Sequence, residues 1–267
     1  DRQGRVEDGN TVSDYDPEEI KRHISISASV APIEIHGKKL NLIDVPGYFD
    51  FAGEMSGPLH AVEGAVIVLS AATGISTGFE KAWNATAKHG LARIIAVSQV
   101  DREHINYRKV LDDLRSTYGN CIIPTVLPIG EGTSFVGVVD VLTGKAFTGA
   151  GKDRREIPIP EDMQDEAELY HDELVEKICE LDDDLTMMYL EGEEPSVEQL
   201  KAVLRKATCE CTAVPVCCGT AYRNKGVQKL LDAVVEFMPA PTDIPAIKGV
   251  DLDGNEIERH SSDDEPF

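Results

Sequence analysis

The sequence predicts an α/β protein built on a parallel sheet, and three observations predict it. Short, mostly apolar runs at residues 40–43, 65–69, 94–97 and 214–218 have the length and composition of buried strands. Stretches of helical spacing separate the middle runs: Phe79, Ala82, Trp83 and Thr86 recur along residues 79–89, and Val110, Leu111 and Leu114 along residues 107–118. Polar segments follow three of the runs directly, and in sheets with right-handed crossovers ligands gather at the carboxyl ends of the strands.

Taken in order, the run at 40–43 ends in Asp44-Val45-Pro46-Gly47. A carboxylate at a strand end can hold a magnesium-bound water, and the Gly47 N–H can approach a terminal phosphate with no side chain in the way. D-x-x-G alone also reads as an ordinary polar turn. The run at 94–97 leads into Ser98-Gln99-Val100-Asp101, a second polar strand-end loop that alone also reads as an ordinary turn. From residue 126 the rhythm breaks. Extended segments at 125–129 and 134–141 precede an acidic helix at 161–181, on which Met163, Ala167, Tyr170, Leu174, Ile178 and Leu181 form one stripe. A further helix begins at the capping box Ser196-x-x-Gln199, and its Leu200, Val203 and Leu204 are the expected partners of that stripe. The last core strand, 214–218, comes only after this block, so the block is an insertion. That strand ends in Gly219-Thr220-Ala221, a third polar strand-end loop that alone also reads as an ordinary turn. A helix at 227–237 and the proline-rich run MPAPTDIPAIKG follow. The expected division is a core at 1–125, an inserted acidic subdomain at 126–211, the end of the core at 212–239, and a linker with the start of another domain at 240–267.

Composition excludes several classes. No apolar run approaches the roughly 20 residues needed to span a bilayer, so no membrane partner is expected. A net charge of −22 argues against simple binding to a nucleic-acid backbone. More than half of it belongs to residues 151–211, with 19 acidic against 7 basic side chains and a net of −12. Such a run by itself reads as a solvated helical surface. Cys209-x-Cys211 and Cys217-Cys218 invite a zinc reading. Adjacent cysteines in a strand point to opposite faces, however, and no C-x-x-C pair or histidine lies beside them, so small buried hydrophobes are the preferred reading.

The sequence resembles translational GTPases of the elongation factor G group over nearly its whole length. The residues that carry this are RHISIS at 22–27, NLIDVPGYFDF at 41–51, LPIGEG, VVDVLTGKAF, EIPIPE, YLEGEEP and GTAYRNKGVQKLLDAVVEF, in this order; DYDPEEIKR and PGYFDF look closest to bacterial paralogues of the main factor. The resemblance implies a P-loop NTPase-type G domain with an inserted α+β subdomain. It also implies GTP or GDP with Mg2+ as ligands, and a factor whose partner is the ribosome, through ribosomal RNA and the stalk protein; a monomer is expected, and six cysteines spaced awkwardly for a disulfide framework suit a reducing cytoplasm. Ser25 stands where the effector-loop threonine ligates magnesium. Asp44 and Gly47 match directly, with Val45 in place of a threonine. Tyr48 occupies the place of the histidine that orients the attacking water. Ser98 and Gln99 replace the asparagine and lysine of the guanine loop, Asp101 is retained, and Gly219, Thr220 and Ala221 match the loop that reaches the guanine carbonyl. In the segment after Gly47, Gly57-Pro58 should break the expected helix. The glycine-rich loop ending in G-K-S/T is not among the 267 residues, and its strand and helix are expected upstream of residue 1. Two readings follow: a ribosome-coupled GTPase, or a ribosome-associated paralogue that hydrolyses GTP weakly or not at all and serves as a binding module.

Overall fold

The computed structural model describes residues 4–262 and 264. Its backbone falls into two compact units, one running to Val62 and taking in Ile75–Gly90, the other comprising Glu63–Gly74 and the chain from Leu91 onward.

The first unit opens with the short helix α1, Pro17–Arg22. Asp16 caps it by accepting from the Glu18 N–H, Pro17 presets its first turn, and the chain leaves it at His23 in the left-handed region (φ 55°). Strands β1, Ser29–Ile35, and β2, Lys38–Asp44, then form an antiparallel hairpin with Ser29 opposite Asp44. His36 and Gly37 form its two-residue turn with φ of 50° and 71°, the twist that suits a hairpin. This corrects the expectation of a buried parallel strand at 40–43. The segment KKLNLID alternates in exposure and contains no fully buried residue, as a half-covered antiparallel strand does. Beyond Gly47 the chain makes a 3-10 helix, Phe49–Met55, and then only the four-residue α2, Ser56–Leu59, in which Pro58 sits. The helix expected there is cut short at the Gly57-Pro58 pair. Helix α3, Thr77–Lys88, is capped by Ser76 and buries Phe79 and Thr86.

The second unit holds the parallel sheet. Strands β3, Gly64–Ser70, and β4, Ala92–Ser98, run in register from Gly64 opposite Ala92 to Ser70 opposite Ser98. Helix α4, Tyr107–Tyr118, starts at the Asn106 cap and buries Tyr107, Val110, Leu111 and Leu114. Strand β5, Ile122–Pro124, follows it. Between β5 and the last core strand comes the insertion, which opens as a four-stranded antiparallel meander: β6, Val126–Ile129; β7, Gly137–Asp140; β8, Lys145–Thr148; and β9, Arg155–Ile157. The expected acidic helix at 161–181 is a 3-10 turn, then α5, Gln164–Cys179, after which α6, Asp183–Leu190, starts afresh under its own Asp182 cap. Helix α7, Val197–Cys209, has the expected Ser196/Gln199 capping box. Strand β10, Val214–Cys218, inserts between β4 and β5, giving the order β3-β4-β10-β5. Helix α8, Val227–Phe237, closes the core, and a hairpin of β11, Ile247–Val250, and β12, Glu256–Arg259, lies beyond it.

The core sits on β4 and β10, where Ile94, Ile95, Val214 and Val216 are inaccessible to solvent. Strand β3 is an edge, and its Val68 is 64% exposed. On α5, Met163 just before the helix and Ala167, Leu174 and Ile178 within it are buried; Leu181 is exposed. The helix packs on α6 and α7 and also on β5, so its stripe serves the inserted helices and the parallel sheet together. Ion pairs fasten the insertion further. Arg108 of α4 reaches Glu131 at 2.6 Å and takes both carboxylate oxygens of Glu166 on α5 at 2.6 and 2.5 Å. Lys229 of α8 meets Asp140 of β7 at 2.7 Å, both nearly buried.

Candidate functional site

The base-reading candidates lie in the second unit, and strand order places them. β4 and β10 are parallel neighbours with Val97 opposite Cys218, so Ser98–Asp101 and Gly219–Ala221 leave the same edge of the sheet side by side. The Gly219 N–H donates to the Val97 carbonyl at 2.9 Å. A Cβ at Gly219 would lie 2.5 Å from the Lys225 carbonyl oxygen, a clash that only glycine avoids. Thr220 is buried and exchanges backbone bonds with Lys225 at 2.9 and 3.1 Å, which fixes the turn carrying Ala221. Within the described residues the Ala221 N–H donates to no backbone group, while its carbonyl accepts from Asn224 at 3.0 Å. The Asp101 side chain is only 14% exposed, and its Oδ2 receives the Arg223 Nε at 2.9 Å, leaving the second oxygen outside this ion pair. Gln99 sits in the left-handed region (φ 61°), and its Oε1 accepts from the Ser70 hydroxyl at 2.7 Å. Val100 is fully buried, and its carbonyl accepts the Gly132 N–H at 2.9 Å.

Two residues here escaped sequence reasoning. Arg223 lies in the GTAYRNKG segment, but nothing in its spacing tells that it turns back onto Asp101. Gly132 belongs to LPIGEG, where it combines φ +60° with a backbone so near Arg102 that a Cβ would lie 3.2 Å from its carbonyl oxygen. The paired glycines flanking Glu131 were the available signal.

The phosphate-side candidates lie in the first unit. Asp44 ends β2 and remains open to solvent. Partial desolvation, then the charges of Asp14 and Glu19, push its carboxyl above the ordinary aspartate value, against a bond with Ser13. No heavy atom lies within 4 Å of where a Cβ on Gly47 would stand, and its N–H has no backbone partner among the described residues. Pro46 before it is buried and Val45 half-buried. Tyr48 is 59% exposed, and beside it the Phe49 ring lies 3.3 Å from the Lys81 ammonium. The Ser25 hydroxyl donates to Asp14 Oδ1 at 2.7 Å, so the acidic neighbour that acts on Asp44 also holds Ser25.

The donors suit the ligands the resemblance implies. Asp101 and the Ala221 N–H match the donor and acceptor pattern of a guanine edge. Ser25, Asp14 and Asp44 offer only hard oxygens. No group of three or more His, Cys, Asp or Glu side chains able to hold a metal occurs among the described residues. Of the cysteines, Cys217 and Cys218 are buried in β10, with sulfurs near Thr125 Oγ1 (3.6 Å) and the Val126 carbonyl (3.5 Å). Among the described residues no helix is long and apolar enough to cross a membrane.

Comparison with known proteins gives the arrangement its family. The crystal structure of ttk003000868 from Thermus thermophilus superposes with a TM-score of 0.86 at 35% identity, covering 96% of this chain and 40% of that protein. The chain thus spans well under half the length of that relative. Residues 1–240 match the family model of the elongation factor Tu GTP binding domain. With most of its length inside that match, the chain belongs to the elongation factor Tu family of GTP-binding domains.

Proposed function

We propose that this chain is the nucleotide domain of a monomeric, cytoplasmic, elongation factor G-like GTPase that acts on the ribosome, coupling GTP hydrolysis to translocation or ribosome remodelling. The observation that carries the proposal beyond the family is the insertion between β5 and β10, a four-stranded meander and three helices, since such a block is what the resemblance assigns to elongation factor G. Its net charge of −12 over residues 151–211 suits a basic partner, and the stalk protein is the one proposed. Contact with ribosomal RNA would be local, because the acidic surface repels phosphate.

In this reading Asp101 accepts from the guanine edge, Ala221 donates its N–H to the base carbonyl, and Gly47 donates to the terminal phosphate. Ser25 and Asp44 hold magnesium, directly or through water. Magnesium, when bound, neutralises charge on the phosphate oxygens. Tyr48 takes the water-orienting position. A phenol is a poorer general base than an imidazole at neutral pH, so hydrolysis should be about 10²- to 10⁴-fold slower than with a histidine there. Single-turnover hydrolysis by the full-length protein, with and without ribosomes, tests this. Stimulation by ribosomes and partial recovery of rate in Tyr48→His are expected. A rate indifferent to ribosomes would overturn the ribosomal assignment, and a Tyr48→His protein no faster than its parent would show that the water is oriented by another group.

A second reading, a ribosome-associated binding module with weak or no hydrolysis, is favoured by one observation. Gln99 replaces the lysine that covers the base, and its amide is tied to Ser70 at 2.7 Å. Co-sedimentation with ribosomes together with no hydrolysis in either the parent or Tyr48→His would select it.

A further inference from the structure

Glu19 has no assigned role, yet its side chain is among the most constrained in the first unit. It is 1% exposed. Its Oε2 accepts the N–H groups of Tyr15 at 3.2 Å and Asp16 at 3.0 Å, and its Oε1 those of Ile26 at 2.9 Å and Ser27 at 3.0 Å. A carboxylate has about four lone-pair sites, so this one is saturated and cannot also ligate a metal. Capping alone does not explain it. The capping box of α1 needs only the bond to the Asp16 N–H. The other three exceed that need, and two come from beyond the far end of the helix. One carboxylate therefore gathers the chain on both sides of α1 and closes the segment from Tyr15 to Ser27 into a ring. Ser25 lies on that ring one residue before the Ile26 anchor, and its hydroxyl is turned onto Asp14 just outside the other anchor.

We propose that Glu19 is a positioning residue that clasps the effector loop shut and so fixes where the Ser25 hydroxyl stands. It acts through four backbone bonds and touches no ligand itself. This rests on the reading of Ser25 as the loop's magnesium-ligating hydroxyl; the clasp itself rests on the bonds alone. Burial of an ionised carboxylate is unfavourable unless it is fully bonded, and removal of its charge would leave four N–H groups competing for one weaker acceptor.

The test uses variants that separate shape from acceptor capacity. Glu19→Gln keeps the volume but turns an NH2 toward one pair of N–H donors. Glu19→Asp keeps the charge but, one methylene shorter, reaches one pair only. Hydrogen–deuterium exchange on the chain as given should show Tyr15, Asp16, Ile26 and Ser27 exchanging about tenfold or more faster in Glu19→Gln, with β4 and β10 unchanged and Glu19→Asp intermediate. In the full-length protein Glu19→Gln should lower single-turnover GTP hydrolysis while leaving GDP affinity within about twofold. Unchanged exchange at those four amides, or equal acceleration throughout the chain, would overturn the clasp. Loosened amides with undiminished hydrolysis would overturn its role in placing Ser25. If the parent protein does not hydrolyse GTP at all, the functional reading fails while the exchange result still decides the clasp.

Discussion

Glu19 also gives the molecule an acid response at the scale of one residue. The N–H bonds from Ser27 and Ile26, opposed by desolvation and aided by those from Asp16 and Tyr15, hold its carboxyl below the ordinary value of 4.5. A carboxyl depressed on folding contributes stability that is complete above the unfolded value and is lost as pH falls through the lower, folded one. Asp44 is shifted the opposite way, chiefly by desolvation and against its bond with Ser13, with the charges of Asp14 and Glu19 adding to the rise. Order in residues 15–27 should thus persist at pH 5 and fail only in more acidic solution, as followed by amide chemical shifts; loss already at pH 6 would contradict the bond pattern. The cysteines offer a simpler check. Burial pushes Cys217 up to about 12 and Cys218 well above the ordinary range. Maleimide at neutral pH should therefore label the half-buried Cys121, Cys209 and Cys211, and reach Cys179, Cys217 and Cys218 only after denaturation. The placement of Asp101, Gly219 and Ala221 beyond the ends of β4 and β10 was legible in the sequence, because the apolar runs before them are strands. Arg223, Gly132 and Glu19 were not, because each acts on a partner that only the folded chain brings within reach.

Among the elements, α4 and α8 coincide with the segments expected from helical spacing, and β10 with its apolar run. Cap and period are both local, so local sequence sufficed. The hairpin of β1 and β2 was not legible, since Pro32 in SVAPIEI counts against a strand unless that strand lies at an edge, as β1 does. Helix α6 was missed because DDLTMMYL shows no sustained stripe, although Asp182 marks its start. The join between β7 and α8 allows a firm prediction. Burial alone would lower the Lys229 ammonium, but Asp140 and Asp232 outweigh it and the net shift is upward. Lys229→Met would leave Asp140 buried without its counter-charge and should cost about 3–5 kcal/mol in a urea titration. A loss below about 1 kcal/mol would mean that the pair is solvated.

For the whole molecule the dominant fact is a charge of −22, which opposes compaction through self-repulsion. Raising the salt from 20 to about 300 mM shortens the range of that repulsion. The thermal midpoint should then rise by about 2–4 °C, as expected for a gain near 1 kcal/mol in a chain of this size. A midpoint that falls with salt would show that attractive pairs such as Arg108 with Glu166 outweigh it. The bond from Gly132 to the Val100 carbonyl carries the last consequence. It ties the loop of Ser98–Asp101 to the first turn of the inserted meander, so one backbone bond joins the peptide next to Asp101 to the acidic block. If Asp101 reads the base as proposed, a partner that grips that block and shifts this turn should also alter the grip on the base. Thermodynamic reciprocity makes the traffic two-way: a nucleotide seated against Asp101 would tune the block's hold on its partner by the same factor.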